Sequence, residues 1–206
     1  MKIHPKHKVV ALTAPLAALA VSNVNAAYDA FLKIEGPEVK GESDRPGHED
    51  EIEILSFSWG VSNPDAKALH GGGSGGGKVT LSEFTITKKT DKASPVLFRN
   101  AVLGEEHHFD GDEYAIRLIM VYTPDEGEPV EMFSIELNDS QIAELRSTVV
   151  PAERGGEDEP TESVSFSFGK IRMNVSDRDE HGDYTGLTSD RAIAVDNPAL
   201  EDDEIF

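Results

Sequence analysis

The 206-residue chain contains no cysteine, a single tryptophan, and only 19 Lys or Arg against 39 Asp or Glu. Without cysteine no disulfide can staple the fold and no thiol can serve as nucleophile or soft metal ligand, so stability has to come from a packed core. The shortage of positive charge leaves a formal net charge of −20. Such a surface repels nucleic acid and anionic lipid and argues against both as partners. Long apolar runs are scarce too: Val9 to Val21 is uncharged throughout, yet falls short of the ~20 residues that span a bilayer.

The setting of that run gives it a meaning. Lys2, His4, Lys6, His7 and Lys8 precede it, and Val24-Asn25-Ala26 follows with small or aliphatic residues where a signal peptidase reads. Residues 1–26 therefore read as a Sec-type signal peptide cut before Ala27. This predicts a bacterial protein released to the periplasm or medium, with no membrane attachment after cleavage. The signal holds three of the 19 cations and none of the 39 carboxylates, so residues 27–206 carry −23. That length suits one or two domains. The expected organisation is a single domain over 27–176 followed by an acidic tail over 177–206.

The text after the signal is mainly β. Phe31 to Ile34 predicts a strand closed by Gly36-Pro37, and Lys40 to Asp50 a polar loop. Ile52, Ile54, Phe57 and Trp59 alternate with a change of phase between Ile54 and Phe57, which predicts a strand that bends and ends at Gly60. A glycine-rich connection over 69–78 leads into a strand from Val79 to Ile86. A helix follows, with Ser94 as N-cap, Pro95 in its first position, Val96, Leu97, Ala101 and Leu103 on one face, and Gly104 as its stop. Tyr114–Tyr122 and Val130–Leu137 predict a hairpin around Pro124-Asp125-Glu126-Gly127. Residues 141–150 fit a helix or a strand, 151–160 a loop, and Val164 to Met173 a last strand with an irregularity at Gly169-Lys170. From Asp177 onward 10 Asp or Glu face only Arg178 and Arg191, and Ile193-Ala194-Val195 and Ile205-Phe206 supply the apolar contacts.

Three patterns touch on ligand chemistry. Gly72 and Gly77-Lys78 have P-loop spacing, but Val79 stands where a magnesium-binding hydroxyl belongs and a strand follows where a helix is needed. Asp177, Asp179, His181, Gly182 and Asp183 echo the start of a calcium loop, with His181 in place of an oxygen ligand and Thr188 in place of the closing carboxylate. A solvated acidic turn is the simpler reading, so no cofactor is expected beyond this weak calcium candidate. His107-His108 with Glu105, Glu106 and Asp110 could supply metal ligands, except that adjacent residues of an extended chain point opposite ways. A polar loop after the helix is the alternative. No nucleophile elbow and no distinct acid and base pair stand out, so an enzyme is not expected.

Taken in order, these segments resemble the haemolysin-coregulated protein (Hcp) family, the tube subunits of type VI secretion. The resemblance rests on Phe31-Leu32-Lys33-Ile34, Lys40-Gly41-Glu42-Ser43 with Asp44 and His48, and Ile52 with Ser56-Phe57-Ser58-Trp59-Gly60. It continues through Gly77-Lys78-Val79, Phe84-Thr85-Ile86-Thr87-Lys88, Asp91-Lys92-Ala93-Ser94-Pro95 with Leu97, Glu162-Ser163-Val164-Ser165-Phe166 and Phe168-Gly169-Lys170-Ile171. It implies a compact β barrel of two packed sheets with one α-helix, a homo-hexameric ring with a wide channel, and rings that stack into a tube. It also implies that residues 141–150 are a strand. Lys40, Gly41, Glu42, Ser43, Asp44 and His48 would lie in the family's extended loop, which reaches a neighbouring subunit or ring.

Two features depart from the family pattern: the cleavable signal and the acidic tail. Together they point to an exported, self-assembling structural protein whose rings stack outside the cytoplasm, with Ile193, Ala194 and Val195 added to a sheet edge of the next subunit. The competing readings are a ring that carries a small secreted protein in its channel, and a type VI tube subunit that keeps its amino-terminal run.

Overall fold

Strands in this chain are set by β-branched and aromatic alternation, and the places where alternation breaks turn out to be the corners of the barrel. The computed structural model describes residues 28–63, 79–110, 113–124, 128–150, 159–188 and 193–196. The expected signal peptide over 1–26, the glycine run with its P-loop spacing, and residues 197–206 lie outside the described residues. β1 (Tyr28–Ile34), β2 (Ile52–Glu53) and β3 (Ser56–Ser58) come first, followed by a small pair, β4 (Val61–Ser62) with β5 (Thr80–Leu81). β6 (Phe84–Lys89), α1 (Ser94–Leu103), β7 (Glu106–His107) and β8 (Ile116–Tyr122) come next. β9 (Val130–Val150), β10 (Glu159–Val175) and β11 (Ile193–Asp196) complete the order.

The main sheet runs β2-β1-β8-β9-β10-β6-β3, with β7 on β9 and β11 on β10, and every pairing is antiparallel. Its two ends, β2 and β3, are neighbours in sequence, so the sheet curls back on itself. The bend foreseen between Ile54 and Phe57 is this closure. The Ile54 amide donates to the Ala30 carbonyl at 2.9 Å, and the next amide, Leu55, donates to Thr87 at 2.8 Å on the opposite flank. One residue thus hands the chain from one edge to the other.

The inward set fills the barrel: Leu32 and Ile34, Phe84 and Ile86, Ile116 and Leu118, Ile135 and Leu137, Val164, Phe166 and Phe168 are all buried. Each contributes roughly 1.5–3 kcal/mol, which is how a chain without disulfides holds together. Residues 141–150 are strand, as the resemblance implied, and β9 pairs with β10 along most of its length. The loop assigned to 151–160 is shorter than expected, because Glu159 and Pro160 already pair with Val150 and Val149. The register slip of β10 falls between Ser165 and Phe166. At Gly169 the pairing stays in step, and the irregularity belongs to Asp139 opposite, with φ 51°. A Cβ on Gly169 would lie 2.8 Å from that of Asp139, so glycine is what lets the strands pass.

Several expectations are corrected. The strand from Val79 splits at Ser82-Glu83 into β5 and β6, and Val61–Ser62 forms β4 where Gly60 had ended the element. Ala93, not Ser94, occupies the N-cap of α1, and no side chain caps it there. The Ser94 hydroxyl is engaged elsewhere, and Asp91 Oδ1 accepts the Ala93 amide at 2.9 Å instead. Gly104 does end the helix, in the left-handed conformation with φ 62°. Leu103 faces out rather than in. The polar loop after the helix includes β7, paired with Gln141 and Ser140.

The largest correction concerns the tail. Ile193, Ala194 and Val195 pair with Met173, Arg172 and Ile171 of the same chain, not with a neighbour. The physical reason is the tether: Asn174 Nδ2 donates to the Thr188 carbonyl at 3.0 Å, leaving four residues before Ile193 pairs with Met173. So short a link favours the edge beside it.

Candidate assembly surface

The loop over 40–51 carries the six residues singled out for assembly. Gly41 is required by close approach, since a Cβ there would sit 2.2 Å from the Glu51 carbonyl oxygen. Its amide donates to Asp50 O at 2.6 Å, Ser43 to Glu51 O at 3.1 Å, and Asp50 back to Ser43 O at 3.0 Å. The buried Ser43 hydroxyl accepts the Arg45 amide. These bonds close the loop on itself as a small compact unit. His48 is buried and stacks on Phe31 with ring centroids 4.5 Å apart, its Nδ1 2.9 Å from Glu51 Oε2. Arg45 reaches Thr123 and Asp29. The loop therefore lies across the outer face of β1 and β8 and covers a second apolar cluster of Phe31, Ile119 and Val121.

A line of charge ties the loop to the entrance of α1. Asp50 holds Lys92 at 2.9 Å and Lys40 at 3.1 Å, and Glu42 accepts the Lys92 amide at 2.9 Å. Lys92 and then Lys40 push the Asp50 carboxyl below its usual range, and Asp50 pushes Lys40 above its own. Asp44 is exposed.

Sequence reasoning missed the most deeply set charged group. Lys88 is fully buried, and its Nζ meets Asp91 Oδ1 at 2.6 Å, Lys89 O at 2.7 Å, Ser94 Oγ at 3.2 Å and Glu162 Oε2 at 3.3 Å. Lys88 and Glu162 face each other across the β6–β10 ladder, and Ser94 donates to the same Glu162 oxygen at 2.7 Å. This cluster locks the start of α1 to two central strands. The sequence held a clue: Lys88 continues the inward phase of Phe84 and Ile86, where a lysine is admissible only if paired.

The adjacent histidines part as extended geometry requires. His107 is buried with Nδ1 3.3 Å from the Glu35 carbonyl, and desolvation lowers its pKa. His108 is exposed between Asp139 and Asp110, whose hydrogen bonds raise its pKa. They cannot share an ion. In the tail, Asp179 Oδ1 accepts the amides of His181 at 2.8 Å and Asp183 at 3.0 Å, and thereby spends itself on a turn. Asp177, Asp179 and Asp183 do not converge, and no group of three or more His, Asp or Glu able to hold a metal occurs among the described residues. The turn leans on the barrel through Tyr184, which meets the Tyr122 ring edge-on at 5.5 Å and lies under Arg178 at 4.1 Å.

Helix α1 carries apolar residues on both faces, with Val96, Leu97 and Ala101 packed on the core. Ser94, Leu97 and Asn100 face the barrel, whereas Phe98, Val102 and Leu103 are 61, 67 and 60 % exposed. Built loops, a buried ionic lock and an uncovered apolar stripe are the features of a structural part. A family model described as "Type VI secretion system effector, Hcp" matches residues 31–175, from β1 to the end of β10.

The chain belongs to the Hcp family of type VI secretion proteins. Protein hcp1 of Pseudomonas aeruginosa is 33% identical over 161 residues, which cover 78% of this chain and 90% of that relative. A solved structure described as a type six secretion system protein overlays with a TM-score of 0.62 at 24% identity, covering 79% of this chain and 92% of its own. Hcp1 from Salmonella typhimurium follows at 0.59 and 24%, covering 84% and 97%. The Hcp overlays bear out the expected fold, a mainly β curled sheet with one helix. The family match stops at Val175, just before the turn held by Tyr184, and β11 lies beyond it. No helix among the described residues is long and apolar enough to cross a membrane.

Proposed function

We propose that this Hcp-family chain is a structural subunit that is exported, loses residues 1–26, and assembles outside the cytoplasm into six-membered rings that stack as a tube or fibre. The match of residues 31–175 to the Hcp family carries this reading, because it runs from β1 to the end of β10 and includes both the compact loop over 40–51 and the Lys88 cluster. Extracellular placement is supported by the signal-like text of residues 1–26. A cytosolic sheath would be out of reach of a Sec-exported chain, so polymerisation would rest on the subunit itself. In this reading Lys40 to Asp50 is a rigid contact element whose outward groups, Glu42, Asp44 and Glu49, meet the next copy.

Electron microscopy of the chain purified from culture medium, with intact-mass measurement of its amino terminus, tests the proposal. Rings or tubes of a chain beginning at Ala27 are expected. Monomers under every salt and calcium condition would sink the assembly reading. A mass beginning at Met1 would instead place the chain with the cytosolic tube subunits. Rings that never stack and co-purify with one stoichiometric small protein would favour a carrier.

A further inference from the structure

Three side chains near the end of α1 are buried with polar atoms unpaired. Asn100, His107 and Ser140 are each no more than 1% exposed. Among the described residues, Asn100 Oδ1 and Nδ2, His107 Nε2 and Ser140 Oγ have no hydrogen-bond partner. Buried polar side chains are hydrogen-bonded in the large majority of cases, by ordered water where no protein group serves.

The fold gathers these three in one layer. Ser140 of β9 stands opposite His107 of β7 on one side and Phe168 of β10 on the other. Directly opposed residues of antiparallel strands share a face, so Ser140 and His107 look toward the core to which Phe168 belongs. Asn100 lies one turn beyond Leu97, on the side of α1 buried against that core, and α1 packs on β9. The Asn100 carbonyl accepts the amides of Gly104 and Glu105. The chain therefore turns from Asn100 straight into β7, with His107 two residues past Glu105.

Their chemistry selects the ligand. His107 Nδ1 is 3.3 Å from the Glu35 carbonyl; a carbonyl only accepts, so Nδ1 holds the ring proton and Nε2 is a bare acceptor. Ser140 can donate its hydroxyl proton, and the Asn100 amide can both give and take. A small molecule that donates and accepts at once complements such a set, and that molecule is water. No carboxylate belongs to it, which leaves nothing to balance the charge of a cation.

We propose that Asn100, His107 and Ser140 form a binding site for buried water, which donates to His107 Nε2, accepts from Ser140 Oγ and completes its shell on the Asn100 amide. The water then joins α1, β7 and β9 at the end of the helix, as the Lys88 cluster joins α1, β6 and β10 at its start. The site belongs to a single chain, so it stands whether or not copies assemble.

A crystal structure of the full-length chain, at a resolution that shows solvent, tests this directly. A water is expected about 2.7–3.2 Å from His107 Nε2, Ser140 Oγ and one Asn100 amide atom. In solution, nuclear Overhauser contacts between a long-lived water and protons of residues 107 and 140 are expected, with nitrogen shifts of His107 that mark the Nδ1–H tautomer. Ser140→Ala combined with Asn100→Leu should abolish those water contacts. Direct bonds among the three side chains with no water between them, an Nε2–H tautomer, or a heavier atom about 2.0–2.1 Å from Nε2, as a metal would stand, would each overturn it. The wild-type measurements decide the matter even if the double variant does not fold.

Discussion

At the scale of single residues, Lys88 is the position where one change should matter most. Its ammonium compensates Asp91 and Glu162, both set around the fully buried side chain. Removing one partner of a buried pair typically costs about 3–5 kcal/mol, because the charge left behind stays desolvated. Lys88→Met should therefore lose on that order in urea unfolding, and a double Lys88→Met, Glu162→Gln variant should recover part of it. A midpoint for Lys88→Met equal to that of the wild type would show that the cluster holds nothing. The two histidines supply a pH signature. Because burial lowers the folded-state pKa of His107, its neutral form is favoured, and stability is full above the unfolded value of about 6.5. It declines as pH falls from there through the folded pKa. His108 works in the opposite sense: its raised pKa contributes stability below about 6.5 that is lost as pH rises through the folded value. Exposure leaves His108 screened, so the net expectation is a loss of stability as pH falls below about 6.5 that His107→Asn flattens, measured by urea titration on the acid side of neutrality.

At the scale of elements, the loop over 40–51 and the helix show how the sequence can be right about place and incomplete about form. The loop was legible as polar text with Gly41, Pro46 and Gly47, yet nothing in its spacing showed that it folds onto Phe31 through His48. That stacking joins residues 17 apart in sequence through a face of the sheet that only pairing creates. Gly41→Val should break the close approach to Glu51 and free the loop, raising amide exchange in residues 40–51 by an order of magnitude or more while β6 to β10 keep their protection. Uniform protection would refute it. The helix was legible from Pro95 and Gly104, but its polarity was misread at Leu103. Val96, Leu97 and Ala101 pack on the barrel as their spacing places them, while Leu103 turns outward, because Leu97 and the Ser94 link to Lys88 fix the rotation. The tail divides into parts with different expected effects. Ending the chain after Val175 removes the Tyr184–Tyr122 contact and uncovers the β10 edge at Lys170–Met173, and should cost about 1–3 kcal/mol with increased aggregation. Ending it after Asp196 should leave thermal unfolding unchanged. Equal melting of both would mean that β11 does not protect the edge.

At the scale of the whole molecule, charge and closure dominate. A chain of net −20, or −23 if residues 1–26 are removed as proposed, meets its own repulsion when copies approach within the ~8–10 Å Debye length of ordinary salt. Assembly should therefore strengthen with added sodium chloride and more steeply with divalent cations, read as tube length or sedimentation. Indifference to both would count against stacking of like-charged rings. What the sequence by itself determined was local or additive: the excess of carboxylate, the lack of any disulfide, strand alternation, and the ordered motifs that mark the Hcp family. These depend on near neighbours or on totals, and are present in the chain before it folds. The tertiary structure decided everything that joins distant residues. It made the phase break at Ile54 into the barrel seam between Ala30 and Thr87, turned Lys88 into a buried lock with Glu162, sent His107 inward and His108 outward, and returned Ile193–Asp196 to their own sheet. The reason is that a strand's partner is set by which edge lies within reach once the sheet has closed, and alternation along one strand contains no record of that edge.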